Sequence, residues 1–549
     1  MTLRGAVLVV AAGLALADAS IVTLALPDIL RELDTTIEGV AAVIGIYTLV
    51  IAVALLPLER VASHGSVRVV GACGFALLAG ASVVCAVADS LPVLLVARVA
   101  QALGGAAGLV VAFELLGGAW GRGRELWLAA AVFATAVGPA IGGALTQAFS
   151  WRAIFVFQVP IALVGAVAVL AGPARAPEIS SERVDEPSEF TWRPALALGL
   201  VSAALSAVLF LLVLLLVAGW NVSPLGAAAT VTVIPIAALV GARIPGDQRA
   251  RALAGSALVG GGVLALAWLP TASLWWTVPP QLVAGCGMGL ALTAFGGGLL
   301  PERTPRDAAR LLTIRYAGIA VLLAIAAPIA ANQLTNATEK AREQGVALVL
   351  DASLPPQEKI KLAPALLKGV QSNEPRTGLR RAIAAQRHRF TGAERVTYDK
   401  LGQRADDTLT TAVGNAFRSS FVLAGAAGIL AALLMLVGVR LTVVVVSGVV
   451  AVGMPLAYAA LYRAVAPEPP AIQDPCHPHR TAPSGGGITG FLQRGALVLL
   501  DRSACRFGSS REELVLALAD KDDAKRFKQE HGVDPRSVGG LLQGLLGGG

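Results

Sequence analysis

Asp18 and Arg98 are charged residues set inside long apolar runs, LADASIVTLALP and LLVARVAQALGGAAG. An ionisable group in hydrocarbon costs at least about 2.5–3.5 kcal/mol on insertion scales, so such residues mark ion or substrate pathways by default. If both runs are helices rising about 1.5 Å per residue and they run antiparallel, Asp18 lies about 20 Å from the inner start of its helix. Arg98 lies about 10 Å from the outer start of its own, in a core about 30 Å thick. The two depths agree. An aspartate that exchanges a proton beside an arginine changes the charge of a shared cavity. The same pair also reads as a structural ion pair that satisfies both groups. Gln101, close to Arg98, and Gln281, in a later apolar run, are the polar candidates for the cavity wall. Glu114 and Arg315 are secondary candidates. Glu114 stands near the end of its run, beside Arg122 and Arg124, and is expected at the interface. Arg315, in LLTIRYAG, can likewise snorkel.

The elements that would hold these residues are transmembrane helices. Of 549 residues, 55% are hydrophobic and 15% charged, with mean hydropathy +0.70. A soluble domain carries about 25% charged residues. Thirteen segments reach the length of about 20 mostly apolar residues that a span needs: 5–26, 37–57, 67–88, 91–117, 126–149, 153–172, 194–217, 222–242, 252–270, 274–300, 311–333, 417–439 and 441–463. A β-barrel would show alternating segments of about ten residues instead. Arg4, with the apolar run and Ala17-Asp18-Ala19 behind it, imitates a secretory leader. The run continues through Ile21–Leu26, which favours a retained first helix.

Arginine placement sets the orientation. With the amino terminus cytoplasmic, the inner loops hold Arg60 and Arg68, Arg122 and Arg124, Arg175, Arg183 and Arg193, Arg243, Arg249 and Arg251, Arg303, Arg306 and Arg310, and Arg440. The opposite short loops hold Arg31 and Arg152. An odd helix count then places the carboxyl tail outside. The net charge of +8 comes largely from these inner arginines. No basic face with interleaved aromatics is present, so nucleic acid is not an expected partner.

The polar stretches divide the chain into a first half (1–172), a linker (173–193), a second half (194–439) with an outward insertion (334–416), an extra transmembrane helix (440–466) and a tail (467–549). Within the insertion, 359–368 and 376–389 read as short basic helices broken by Pro355-Pro356 and Pro375. In the tail, Ser510 with Glu513 forms a capping box; Gly532 is a stop and Asp534-Pro535 a second start. Cys476 and Cys505 suit a disulfide if the tail is outside. Cys476-His477-Pro478-His479 offers a competing metal reading that lacks a fourth spaced ligand, and no metal is expected.

Four motifs resemble the drug:proton antiporters of the major facilitator superfamily. ATAVGPAIGG, with Gly138, Pro139, Gly142 and Gly143, is similar to the antiporter signature. Asp18, Ile21, Val22, Ala25, Leu26 and Pro27 resemble the helix-one motif. Arg98, Gln101, Gly104, Ala106 and Ala107 resemble the helix-four motif, with Ala102 where glycine is usual. Trp151, Arg152, Phe155 and Pro160 resemble the turn into helix six, with Gln158 where asparagine is usual. Arg315 is similar to an arginine near the start of helix eleven. The loop between helices two and three keeps Gly65 and Arg68 but has Ala62 at the gate aspartate.

The resemblance implies an all-α integral membrane protein of two six-helix halves plus one extra carboxyl-terminal helix. It implies a monomeric multi-pass carrier of the cell membrane, exporting small, largely apolar or cationic compounds by proton-coupled alternating access. Its partners would be the lipid bilayer, a small-molecule substrate and protons, with no cofactor. A nutrient symporter on the same fold, and a receptor or scaffold using the insertion and tail, are the alternatives. No nucleophile–base pair is visible, so an enzyme is not expected.

Overall fold

A computed structural model describes residues 3–117, 138–171, 191–300, 304–352, 354, 358, 359, 362, 366, 375–477 and 487–537. Among these residues the secondary structure is helical, with no strand. Eleven described helices are long and apolar enough to cross a membrane. The expected span 126–149 lies partly outside the described residues, and the linker 173–193 and the stretch 359–368 almost wholly so.

The first half comprises α1 (Leu3–Thr23), α2 (Leu26–Glu32), α3 (Ile37–His64), α4 (Val67–Ala86), α5 (Leu91–Gly117), the described part of α6 (138–148) and α7 (Arg152–Leu170). The second half comprises α8 (Trp192–Val213), α9 (Pro224–Val231), α10 (Val233–Arg243), α11 (Gln248–Ala265), α12 (Leu274–Ala294) and α13 (Pro305–Asp351). Beyond them lie α14 (Pro375–Gln386), α15 (Gly392–Ala416), α16 (Arg418–Leu434), α17 (Leu441–Val465), α18 (Gly487–Phe507), α19 (Arg511–Ala519) and α20 (Lys521–His531).

The chain forms two compact units. One comprises residues 1–218, 222–333 and 417–465; the other comprises 219–221, 334–416 and 466–549. In the first, small residues let helices meet backbone to backbone, as lipid-embedded packing requires. A Cβ on Gly104 of α5 would stand 2.6 Å from the Gly74 carbonyl of α4. A Cβ on Gly255 of α11 would stand 2.7 Å from the Gly287 carbonyl of α12. The same close approach thus recurs in both halves, as an internal repeat predicts. α17 packs on α11, where Ala451 fills the space beside Gly261. Its other face leaves Val445, Val446, Val449 and Leu456 exposed, the pattern of a helix that meets lipid.

Two expectations about helix ends are corrected. α13 does not stop at 333 but runs on to Asp351. Glu339, Lys340, Arg342, Glu343 and Gln344 are polar, yet all are good helix formers, so the change of polarity is no breaker. The single helix expected from Ser510 to Gly532 is two helices. Ser510 caps α19, accepting from Glu513 N. Asp520 then caps α20, accepting from Asp522 N and Asp523 N. Gly532 ends α20 with φ 75°, the left-handed conformation glycine adopts freely.

The second unit has its own core of Ala504, Leu514, Ala517 and Phe527, backed by Leu500 and Phe507. α14 begins at Pro375, which serves as a helix start rather than as the breaker expected. A disulfide joins Cys476 to Cys505, and His477 pairs with Asp474. Glu513, Glu530 and His531 bring three ligand-type atoms within 4.8 Å of one another, away from the Cys-His-Pro-His stretch.

Candidate functional site: a buried polar ring in the membrane unit

Asp18 and Arg98 meet inside the first unit. The Arg98 Nη2 atom lies 2.6 Å from Asp18 Oδ2, and the two residues are 0% and 1% exposed, respectively. Breaking such a pair from one side leaves an uncompensated buried charge. Four helices hold it. Arg98 Nε donates to the Val43 carbonyl of α3 at 3.1 Å. Its guanidinium stacks 4.1 Å over the Tyr47 ring, and the Tyr47 hydroxyl donates to the Ala15 carbonyl of α1. Tyr47 therefore ties α3 to α1 one turn before the aspartate.

The remaining polar capacity is satisfied by glutamines. Arg98 Nη1 donates to Gln101 Oε1 at 2.6 Å. Gln101 Nε2 donates to Gln158 Oε1 at 2.7 Å and to Ser82 Oγ at 2.9 Å. Gln158 Nε2 donates to Asp18 Oδ1 at 2.8 Å. The result is a closed ring through α1, α5 and α7, with Ser82 of α4 at its side. Gln101 was expected as cavity wall. It is fully buried instead, with its amide committed on both sides to the ring.

The antiporter-like glycines set the position of Asp18. A Cβ on Gly138 would overlap the Ser20 hydroxyl, and one on Gly142 the Ile21 carbonyl. α6 therefore lies directly against α1 just beyond the aspartate. A Cβ on Gly143 would overlap the Ala228 side chain of α9, so this short stretch touches both halves. Pro139 is buried among them, while Ala134–Val137 fall outside the described residues.

Other candidates lie elsewhere. Glu114 is only 6% exposed, with Oε2 unpartnered and Glu59 within electrostatic reach. Glu114 stands in the last turn of α5, near the helix end as expected, and is covered there by its neighbours. Gln281 is buried in α12 and donates to Thr277 Oγ1 at 3.0 Å. Arg315 is half-buried, its Nε without a partner among the described residues. Its neighbour Tyr316 lies within electrostatic reach of Asp18 and Tyr47. Sequence reasoning assigned no role to Gln158, Ser82 or Tyr47. Their signal was polarity in apolar runs, and for Gln158 the departure from the usual asparagine.

Helical halves that share a recurring backbone contact, with a buried ion pair inside the first, define an all-helical membrane fold. The Major Facilitator Superfamily model matches residues 8–328, and the chain belongs to that superfamily. The multidrug resistance protein Stp of Mycobacterium tuberculosis is 35% identical over 150 residues, 26% of this chain and 28% of Stp. The drug efflux pump JefA of the same species is 29% identical over 208 residues, 36% of this chain and 41% of JefA. The uncharacterized transporter YebQ of Escherichia coli is 30% identical over 210 residues, 37% of this chain and 46% of YebQ. The chain thus spans less than half the length of these curated relatives. A bacterial homolog of the human lysosomal transporter Spinster, in an inward-facing and occupied conformation, shares the fold with TM-score 0.55 and 15% identity, covering 78% of this chain and 95% of that one. With eleven candidate spans among its described residues, the chain is a multi-pass membrane protein of that superfamily.

Proposed function

We propose that this chain is a proton-coupled exporter of small, largely apolar or cationic compounds, with Asp18 as its proton-carrying group and Arg98 as its partner. The observation that supports it most is the Asp18–Arg98 pair itself, buried on every side at 2.6 Å. A proton on Asp18 removes the counter-ion of Arg98. A cationic compound and a proton then compete for one carboxylate, which is the reciprocal linkage an exchanger needs. α8 supplies an apolar wall, with Ser202 and Ser206 as its polar groups beyond the first turn. Relatives named for multidrug resistance and drug efflux point the same way. The two halves rock around this region in alternating access.

The deciding assay is substrate accumulation in proteoliposomes with an imposed pH gradient. Asp18→Asn keeps the shape and hydrogen-bonding capacity of the site and is expected to abolish uphill accumulation, a loss of at least tenfold. Accumulation by Asp18→Asn with that gradient as the sole energy source would place the proton elsewhere.

In the same reading the amino terminus is cytoplasmic and the tail extracytoplasmic. The arginine alternation supports this, as does a disulfide of the kind that persists in oxidising compartments. In intact cells an impermeant reductant should open Cys476–Cys505 and expose both thiols to an impermeant maleimide. Labelling that requires lysis overturns the orientation.

A further inference from the structure

The ring around Asp18 has a direction. Arg98 donates to Gln101, Gln101 to Gln158, and Gln158 to Asp18. The fourth side is the Asp18–Arg98 pair, an ion pair rather than an aligned hydrogen bond. Every member is buried, so a mismatch is relieved within the ring. A carboxylate accepts at both oxygens, whereas a protonated carboxyl must also donate. Two donors, Arg98 and Gln158, face it. Arginine has no acceptor to offer. A glutamine amide does, by turning over.

We propose that Gln158 and Gln101 form a polarity relay that carries the protonation of Asp18 to Arg98. The arriving proton forms an O–H bond at Asp18 Oδ1. Gln158 turns its amide, and Oε1 accepts that proton's hydrogen bond. Its Nε2 now faces Gln101 Nε2, donor against donor. Gln101 therefore turns as well: Oε1 accepts from Gln158 Nε2 and from the Ser82 hydroxyl that Nε2 has left, and Nε2 now faces Arg98 donor against donor, so the mismatch passes to the guanidinium and drives it off. Arg98 has by then lost both acceptors, the Asp18 carboxylate and Gln101 Oε1, and keeps the Val43 carbonyl and the Tyr47 ring. No proton passes through the amides; only their orientation changes. Protonation at one end of the ring thus frees the arginine at the other. Both glutamines are positioning residues. The inference rests on the reading of Asp18 as the proton site.

Among the described residues, the groups facing Asp18 that titrate or carry charge are Arg98 of α5, Tyr47 of α3, Cys85 of α4 and Tyr316 of α13. Residues 138–148 of α6 and 194–213 of α8 carry none. α7 faces Asp18 with Gln158, which can respond to a proton without taking one.

The test is infrared difference spectroscopy across pH on the full-length protein in lipid nanodiscs, with isotope-labelled glutamine. Acidification should produce a carboxylic acid band together with a shift of the glutamine amide bands. Gln158→Leu should keep the acid band and lose the amide shift entirely, because the relay starts there. Gln101→Leu should keep about half of it, and it gives the same decision if Gln158→Leu does not fold. An acid band with unmoved amide bands overturns the relay. So does an amide shift that is undiminished in either leucine variant. A glutamine amide shift that survives undiminished in Asp18→Asn instead overturns the proton-site reading.

Discussion

In the membrane unit one arginine holds one aspartate, and a single ring of amides satisfies both. In the unit built from the insertion and tail, charges overlap. Asp406 accepts from Arg376 at 3.0 Å and from Arg380 at 2.8 Å. Asp523 is held by Arg342 and Arg526. Arg511, 2% exposed, reaches Asp351, Asp501 and Glu512. Several of these groups are partly exposed, where water shares the work and a pair contributes about 0–1 kcal/mol. Where two arginines share one carboxylate, as at Asp406 and Asp523, the second unit should lose one of them and remain folded. The membrane ring has no spare member, so the same chemistry carries a different consequence in each place.

Arg98→Ala gives the sharpest contrast. It leaves Asp18 buried without a counter-ion, at an expected cost of about 3–5 kcal/mol, and should abolish transport. Thermal unfolding in detergent and flux in proteoliposomes measure the two effects. Arg380→Ala in the second unit is its control, since Arg376 still holds Asp406. Equal losses of stability in the two variants would end the distinction drawn between the units.

A smaller effect is expected at the helix contact that positions the ring. Gly138→Leu places a branched side chain where α6 meets Ser20 of α1. Overpacking of this kind costs about 1–3 kcal/mol. The protein should still insert, but with α1 displaced and transport lost. Wild-type flux from Gly138→Leu would show that the contact does not govern the aspartate.

Much of the membrane unit was legible before any coordinates. Helix length and hydropathy give eleven of the thirteen expected spans, 126–149 lying partly outside the described residues and 274–300 being helical but not among the eleven; the matched depths of Asp18 and Arg98 anticipate their meeting. Gln158 was not legible in the same way. It stands 140 residues from Asp18, and one glutamine in an apolar run states no partner. Its role depends on a ring closed by helices far apart in the chain. Gln101 was assigned to a wall because a polar side chain near Arg98 suggests a cavity; only packing shows that its amide is already spent. The burial of Glu114 was not legible either, since proximity to Arg122 and Arg124 in sequence says nothing about packing. In the second unit, α18 escaped notice because its glycines and mixed polarity conceal a helical face. Its core forms only when Ala504 and Phe507 meet Leu514 and Phe527.

The smallest expected effect tests whether the second unit depends on charge or only on hydrogen bonds. Asp520 caps α20, accepting from Asp522 N at 2.9 Å and Asp523 N at 3.4 Å. Those backbone donors, Asp522 N first, hold its carboxyl below the usual aspartate value, against a smaller opposing effect of burial. The sign follows. A carboxyl whose folded value is depressed contributes stability above its unfolded value, and loses it as pH falls through the folded one. Asp520→Ala should therefore cost about 1 kcal/mol at neutral pH, the usual worth of an N-cap. Asp520→Asn still caps, because its amide oxygen accepts the same bonds without ionising. Its stability should nearly match the wild type at pH 7, and its contribution at this position should not fall below pH 4, where the wild type weakens. Denaturant melts of α20, followed by hydrogen exchange at Asp522 N and Asp523 N, read this directly. If Asp520→Asn weakens with acid as steeply as the wild type, the acid sensitivity belongs to the arginine-paired carboxylates of the unit rather than to this cap.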